Sequence, residues 1–305
     1  MVSIPAALRA TARRPEAATR SEVAPGARRG RVWPPMSALV GMAVLAGLAG
    51  LAMAGPWVWQ VNPEAQDLVN RLAPPLGFGG SAAHPLGTDT LGRDTLARII
   101  AGARVSLPLG VVATLLAGAI GITLGLVAGY RGGWIDGVIT WLADVQLAIP
   151  FVVFAIVVTV TLGNSFGNVL ITLVITGWVA YARVIRLQAR AMRDAEWMDA
   201  ARVLGVSGPR LLSRHLLPNL LAPAVVLATQ QAGAMIFYES SLSFLGLGIG
   251  GTTPTWGGMA ALGRDAVFTA PWVAALPGAA IALAILGFNL TGDWLATRGR
   301  RVEGL

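Results

Sequence analysis

The sequence contains no lysine and no cysteine; all 23 basic residues are arginine. Each absence excludes chemistry. A Walker A loop holds nucleotide phosphates with a lysine, so this chain carries no standard ATP site of its own. A Schiff-base lysine, for retinal or for a carbonyl substrate, is ruled out as well. Without cysteine there is no disulfide, no thiol nucleophile and no Cys-ligated metal, and the redox compartment is not readable from thiols. Charge is also scarce, at 12% of residues against 55% hydrophobic. That balance is far from a soluble globular profile and marks a polytopic membrane protein. The net charge of +8 does not point to nucleic acid, because the arginines lie in loops between apolar runs and not on one basic face.

What is present is a succession of apolar runs. Residues 1–35 are rich in Arg, Ala and Pro and read as a disordered cytoplasmic tail, too long in its charged part for a signal peptide. Residues 37–55 are uncharged and long enough for one helical span, closed by Trp57 and Trp59 at an interface. Further spans are expected over 107–129, 138–162, 169–182, 220–237 and 272–290. Residues 60–104 between the first two are polar, with Pro and Gly turns. His84, Asp89 and Asp94 lie there at a spacing that fits no metal loop, so a structured turn feeding an amphipathic helix at 95–100 is the reading. Asp144 sits toward one end of its run and reads as a residue near the cytoplasmic interface, a gating or packing contact being the other reading. Gln230 and Gln231 face either a pathway or a neighbouring helix. With Glu239 they are the candidate pathway residues. Residues 239–271 hold an apolar stretch too short to span, expected to be re-entrant or interfacial.

The polar stretch at 196–218 reads EWMDAARVLGVSGPRLLSRHLLP. Its chemistry is a short helix, a C-cap glycine at Gly205, a turn in which Ser207 caps and Pro209 opens the next helix, and a kink or restart at Pro218. Ala200 and Ala201 are small enough to let another surface approach. Glu196, Asp199, Ala200, Ala201, Gly205, His215 and Pro218 together resemble the EAA loop of ABC importer permeases. The string HPLGTDTLGRD from His84 to Asp94 resembles the signature of the DppC/OppC-like subunits of dipeptide, oligopeptide, glutathione and nickel importers. The strings GYRGGWID, LSFLGLG and PTWG are similar to that subfamily too, as is Asn289 with Gly292 and Asp293. The usual DPR ending is absent, and Thr297 to Arg301 stand in its place.

The resemblance implies a type I ABC importer permease fold: an all-α membrane protein with six transmembrane helices and a cytoplasmic coupling helix. The expected division is the tail (1–35), a first helix (36–56), an extracytoplasmic segment (57–104), a five-helix core (105–295) and a cytoplasmic tail (296–305). Within the core lie the coupling loop (187–218) and an extracytoplasmic loop (239–271). The implied partners are a homologous second permease, two cytoplasmic ATPases holding ATP and Mg, an extracytoplasmic solute-binding protein and the lipid bilayer. No catalytic residue, metal site or cofactor is expected on this chain.

Arginine placement orients the chain. With the N-terminus inside, seven arginines lie in the tail, one at Arg131, seven from Arg183 to Arg214 and three at the C-terminus; only five lie outside. This favours both termini in the cytoplasm of a bacterial inner membrane. An ion-coupled carrier needs ionisable residues in its spans, and only Asp144 is a candidate. No pair of interrupted helices is evident. A membrane-embedded enzyme needs converging groups, yet the two histidines lie on opposite faces of a hydrocarbon core about 30 Å thick. Di- or oligopeptide import is the leading expectation, with nickel or glutathione as alternatives.

Overall fold

The computed structural model describes residues 34–303, and side chains as far as Arg298. The expected tail over 1–35 lies outside the described residues except for Pro34 and Pro35. Ten helices carry the fold: α1 (Met36–Val58), α2 (Thr95–Arg131), α3 (Gly133–Ala148), α4 (Phe151–Leu162), α5 (Phe166–Arg193), α6 (Glu196–Val203), α7 (Gly208–Leu211), α8 (Leu217–Phe244), α9 (Trp256–Leu262) and α10 (Trp272–Glu303). Five helical runs are long and apolar enough to cross a membrane, and a sixth crossing results if α3 and α4 form one broken span.

Four boundaries differ from the sequence reading. The second span does not begin after the extracytoplasmic segment. Asp94 caps α2 by accepting from the Ala97 amide at 2.7 Å, so the amphipathic stretch and the span are one helix of 37 residues. The third span is not straight: α3 and α4 meet at 85°. Ile149 is extended there, as the residue before a proline tends to be, and Pro150 brings no N–H to carry the helix on. This is the interrupted helix that the sequence did not reveal. The motif LSFLGLG is split, because α8 runs on to Phe244 and the loop starts only at Leu245. Finally, α10 continues to Glu303, so the expected tail over 296–305 is largely the last turns of that helix.

Two seams hold the bundle. Along α2, Gly121, Gly125 and Gly129 face α5 so closely that a Cβ would lie 2.3 Å from the Trp178 carbonyl, 2.6 Å from that of Ala182 and 2.5 Å from that of Arg186. Small residues allow such backbone approach, which matters in a bilayer, where helices gain little by hiding apolar surface from lipid. The second seam joins α1, α2, α8, α9 and α10 around buried Trp256, Ile236 and Ala284. Trp256 is fully buried and donates its indole N–H to the Ile99 carbonyl at 3.1 Å. Other apolar side chains, such as Leu115 and Val160, point outward as expected of lipid-facing surfaces.

The segment between α1 and α2 folds as a cap on the N-terminal end of α2. Gly87 and Gly92 have φ of +76° and +73°, and a Cβ on Gly92 would meet the Asp67 carbonyl at 1.7 Å. The glycines of the HPLGTDTLGRD string are therefore demanded by the turn itself. Asp94 joins its parts: its carboxylate meets His84 Nδ1 at 2.9 Å and accepts from Trp59 Nε1 at 3.0 Å. The histidine is thus engaged by a helix cap.

Candidate functional site

The site is built where α5 ends. Arg193 donates to Asp194 at 2.8 Å, and this bond holds the exposed Asp194 carboxyl below its usual range. Ala195 is extended and α6 begins at Glu196. Glu196 and Asp199 lie in the first turn and Arg202 in the last, each matching the helix dipole. Arg202 donates to Asp199 at 2.7 Å and to the Arg193 carbonyl at 3.0 Å, tying α6 back to the end of α5.

Gly205 ends α6 with φ of +78°. Its amide donates to the Arg202 carbonyl at 2.9 Å, and the Val206 amide donates to the Ala201 carbonyl at 3.2 Å. This pair of bonds is a Schellman motif, which needs a left-handed residue and so favours glycine. Ser207 precedes α7, but its side chain makes no cap bond, contrary to the sequence reading; Pro209 does lie in the first turn. Residues Leu212–Leu216 form a π-turn leading into α8. Pro218 explains it, since it offers no N–H to the carbonyl four residues back and its ring would press on that carbonyl. His215 donates from Nδ1 to the Arg210 carbonyl at 3.4 Å, and Asn219 donates to the His215 carbonyl at 2.6 Å.

The loop has two faces. Met198 is fully buried in a cluster with Leu126 of α2, Ile185 and Ala189 of α5, and Leu211, Leu216 and Leu220, with Ala201 packed against it. Burying a methionine contributes about 2 kcal/mol, so α6 is anchored to the membrane helices. The opposite face shows Trp197, Ala200, Val203 and Leu204, the last two 87% and 83% exposed. Apolar side chains this exposed beside a rim of charges make this face the candidate contact surface.

Of the residues singled out by sequence, Glu196, Asp199 and Ala200 lie on the exposed side. Ala201 faces inward, and Gly205 sets the turn. His215 and Pro218 sit apart, in the π-turn and the first turn of α8. Val203 and Leu204 were missed; an apolar pair on a charged helix is visible in the sequence, but only the burial of Met198 tells which side faces out. Gln230 is exposed and lines a groove of about 850 Å³ between α5, α8 and α10, with Gln188, Asn219 and Arg298. Gln231 is half-buried. Glu239, the third pathway candidate, lies deepest. It is fully buried and accepts from Ser243 at 2.8 Å and Ser240 at 3.3 Å, so it faces its own bundle.

Asp144 pairs with Arg183 at 2.6 Å, linking α3 to α5. Along the same seam Trp178 donates to Gln146 at 2.6 Å on one side of this pair, and Arg186 pairs with Asp136 on the other.

An all-helical bundle of apolar spans, with a two-faced helix exposed at one end, defines a multi-pass membrane protein. Comparison with known proteins gives the family. A family model described as the binding-protein-dependent transport system inner membrane component matches residues 121–300. Another, the N-terminal TM domain of oligopeptide transport permease C, matches 36–75. The chain is 38% identical over 258 residues to the dipeptide transport system permease protein DppC of Alkalihalophilus pseudofirmus, covering 85% of this chain and 83% of that one. It is 38% identical over 255 residues to the glutathione transport system permease protein GsiD of Pectobacterium atrosepticum, covering 83% and 85%. The oligopeptide transport system permease protein OppC of Bacillus subtilis is 34% identical over 258 residues, covering 85% and 83%. In fold, a chain of the inward-facing MetNI methionine ABC transporter superposes with a TM-score of 0.56 at 16% identity, covering 67% of this chain and 96% of that one. The chain belongs to the family of binding-protein-dependent transport system inner membrane components. It is a DppC/OppC-like ABC permease, a transport subunit with the type I permease fold.

Proposed function

We propose that the chain imports di- or oligopeptides as one of two homologous permeases in a complex with two cytoplasmic ATPases and an extracytoplasmic binding protein. The observation that carries this reading is the exposed face of α6, with Trp197, Ala200, Val203 and Leu204 held out by buried Met198. ATP binding on the partners would draw the ATPases together and push this face. Because α6 is anchored to α2 and α5, the push reaches the spans directly, and they alternate between outward and inward access. Such coupling needs each ligand to favour one state over the other.

Orientation follows from the arginines. Arg131, Arg183, Arg190, Arg210 and Arg214 crowd the end where α6 lies, which the positive-inside rule assigns to the cytoplasm. The cap over residues 60–94 and the loop before α9 then face outward, toward the binding protein. Peptide as cargo draws on the names of the dipeptide and oligopeptide relatives. The glutathione relative supports that tripeptide as a second cargo. Ion-driven transport is disfavoured because Asp144 is already paired with Arg183 and Glu239, the buried carboxylate of α8, already accepts from Ser240 and Ser243.

The test is uptake by proteoliposomes holding the chain with its co-encoded permease, ATPases and binding protein. Labelled dipeptide should enter only with ATP inside the vesicles, where the ATPases of the importing orientation face, and with the binding protein outside. Uptake driven by an ion gradient without ATP would contradict the proposal.

A further inference from the structure

We propose that a cavity beside the N-terminal end of α2 is a carboxylate-binding pocket built around Arg93 and Arg98. It has a volume of about 340 Å³ and lies between the cap, the loop over residues 246–255 and α9. That size suits the end of a peptide or a single acidic side chain, at the lower limit of ordinary small-ligand pockets of about 300–1,000 Å³.

Both arginines line the cavity although only 6% and 4% of their surfaces are exposed. Two carboxylates hold them from behind. Arg93 Nε donates to Asp89 at 2.7 Å, and Arg98 Nη1 donates to Glu64 at 3.0 Å and to the Pro63 carbonyl at 3.1 Å. Asp89 and Glu64 are not among the residues lining the cavity. Glu64 also lies 3.6 Å from Arg93 Nη1 and Asp89 3.6 Å from Arg98 Nε, so the two acids and two arginines form one ion-pair network with the arginines on its cavity side. A guanidinium has five N–H donors in a fixed fork. Among the described residues, neither Arg93 Nη2 nor Arg98 Nη2 has a hydrogen-bond partner. The facing wall is the stretch GLGIGGTTPT, with no acidic side chain. The unpaired Nη2 donors of two neighbouring guanidinium groups, in a cavity whose lining residues carry no acid, can both donate to one carboxylate.

Two sources can bring that group: the C-terminus of a solute, or an acidic side chain of the binding protein. The pocket rests on the proposed function only for the identity of this donor. The chain has no cysteine, so Thr253→Cys places a single thiol in this subunit, on an exposed loop residue of the cavity wall. In the purified complex, with any partner cysteines replaced, its reaction rate is measured with an anionic and a cationic methanethiosulfonate of similar size. Each rate is divided by that of free cysteine. The pocket predicts that the anionic reagent reacts about fivefold faster, as a focused positive potential raises local anion concentration. Slowing by millimolar diglycine, but not by diglycine amide, assigns the carboxylate to the solute. Slowing by solute-free binding protein assigns it to that partner. Equal rates for the two reagents, or no protection by diglycine or by binding protein either empty or loaded, would overturn the proposal. These rates are read without transport, so a failure of the complex to import dipeptide would count against the import reading alone.

Discussion

Gly125 shows how single residues set the packing of this protein. A Cβ there would lie 2.6 Å from the Ala182 carbonyl and 3.0 Å from its Cα, with no flexible side chain to yield. Gly125→Leu must therefore force α2 and α5 apart, at a cost of about 2 kcal/mol or more. Detergent-solubilised variant protein should unfold at clearly lower temperature than the parent, whereas Gly137→Leu, where a Cβ meets nothing within 4 Å, should not. Unchanged unfolding of Gly125→Leu would mean that the seam is looser than it appears. The glycine spacing on α2 is plain in the sequence, but the sequence does not say which helix lies against it. The same limit applies to Glu239. As a carboxylate in an apolar run it invites a pathway role, yet Ser240 and Ser243 on its own helix satisfy it in the core.

At the scale of elements, α6 and its turn carry the coupling account. Valine at Gly205 would have to adopt φ near +78°, a strain of about 1–2 kcal/mol, although no neighbour blocks its side chain. Gly205→Val should still insert in the membrane but lose solute-stimulated ATP hydrolysis, while Gly205→Asn, which tolerates a left-handed backbone, should keep most of it. Normal stimulation in the valine variant would count against the turn. The two alanines divide the helix. Ala200→Arg adds bulk and charge to the exposed face, so it should abolish retention of the ATPases at unchanged thermal stability. Ala201→Arg pushes into the Met198 cluster and should lower stability first. The reverse pattern would mean that the docking face has been assigned to the wrong side.

Much of this element was legible. Its helix, glycine stop and proline restart follow from residue types with defined backbone preferences. The bend between α3 and α4 was not. Pro56, Pro108, Pro223 and Pro277 all sit inside continuous helices, and membrane helices tolerate proline when neighbours supply partners. A proline in an apolar run therefore does not announce a break. What distinguishes Pro150 is tertiary: α3 is fixed to α5 through Gln146 and Trp178 on one side of it, and Phe151 stacks on Tyr238 of α8 at 4.6 Å on the other. The motif over 84–94 gave the turn and the helix that it feeds at 95–100, but not that this helix runs on unbroken into the second span as far as Arg131.

At the scale of the whole molecule, the account describes a part that cannot work alone. It has no lysine for a Walker A loop, an anchored helix with an apolar exposed face, and a cap at the far end of the bundle. Its central claim is that this permease is driven by ATPases docked on α6. The most direct measurement is purification of the tagged chain in mild detergent from its native operon, with partners and stoichiometry determined by mass spectrometry. The account predicts one copy of this chain with one homologous permease and two ATPases, and loss of the ATPases alone in Ala200→Arg. A chain that purifies alone or as a homo-oligomer across several detergents would contradict it.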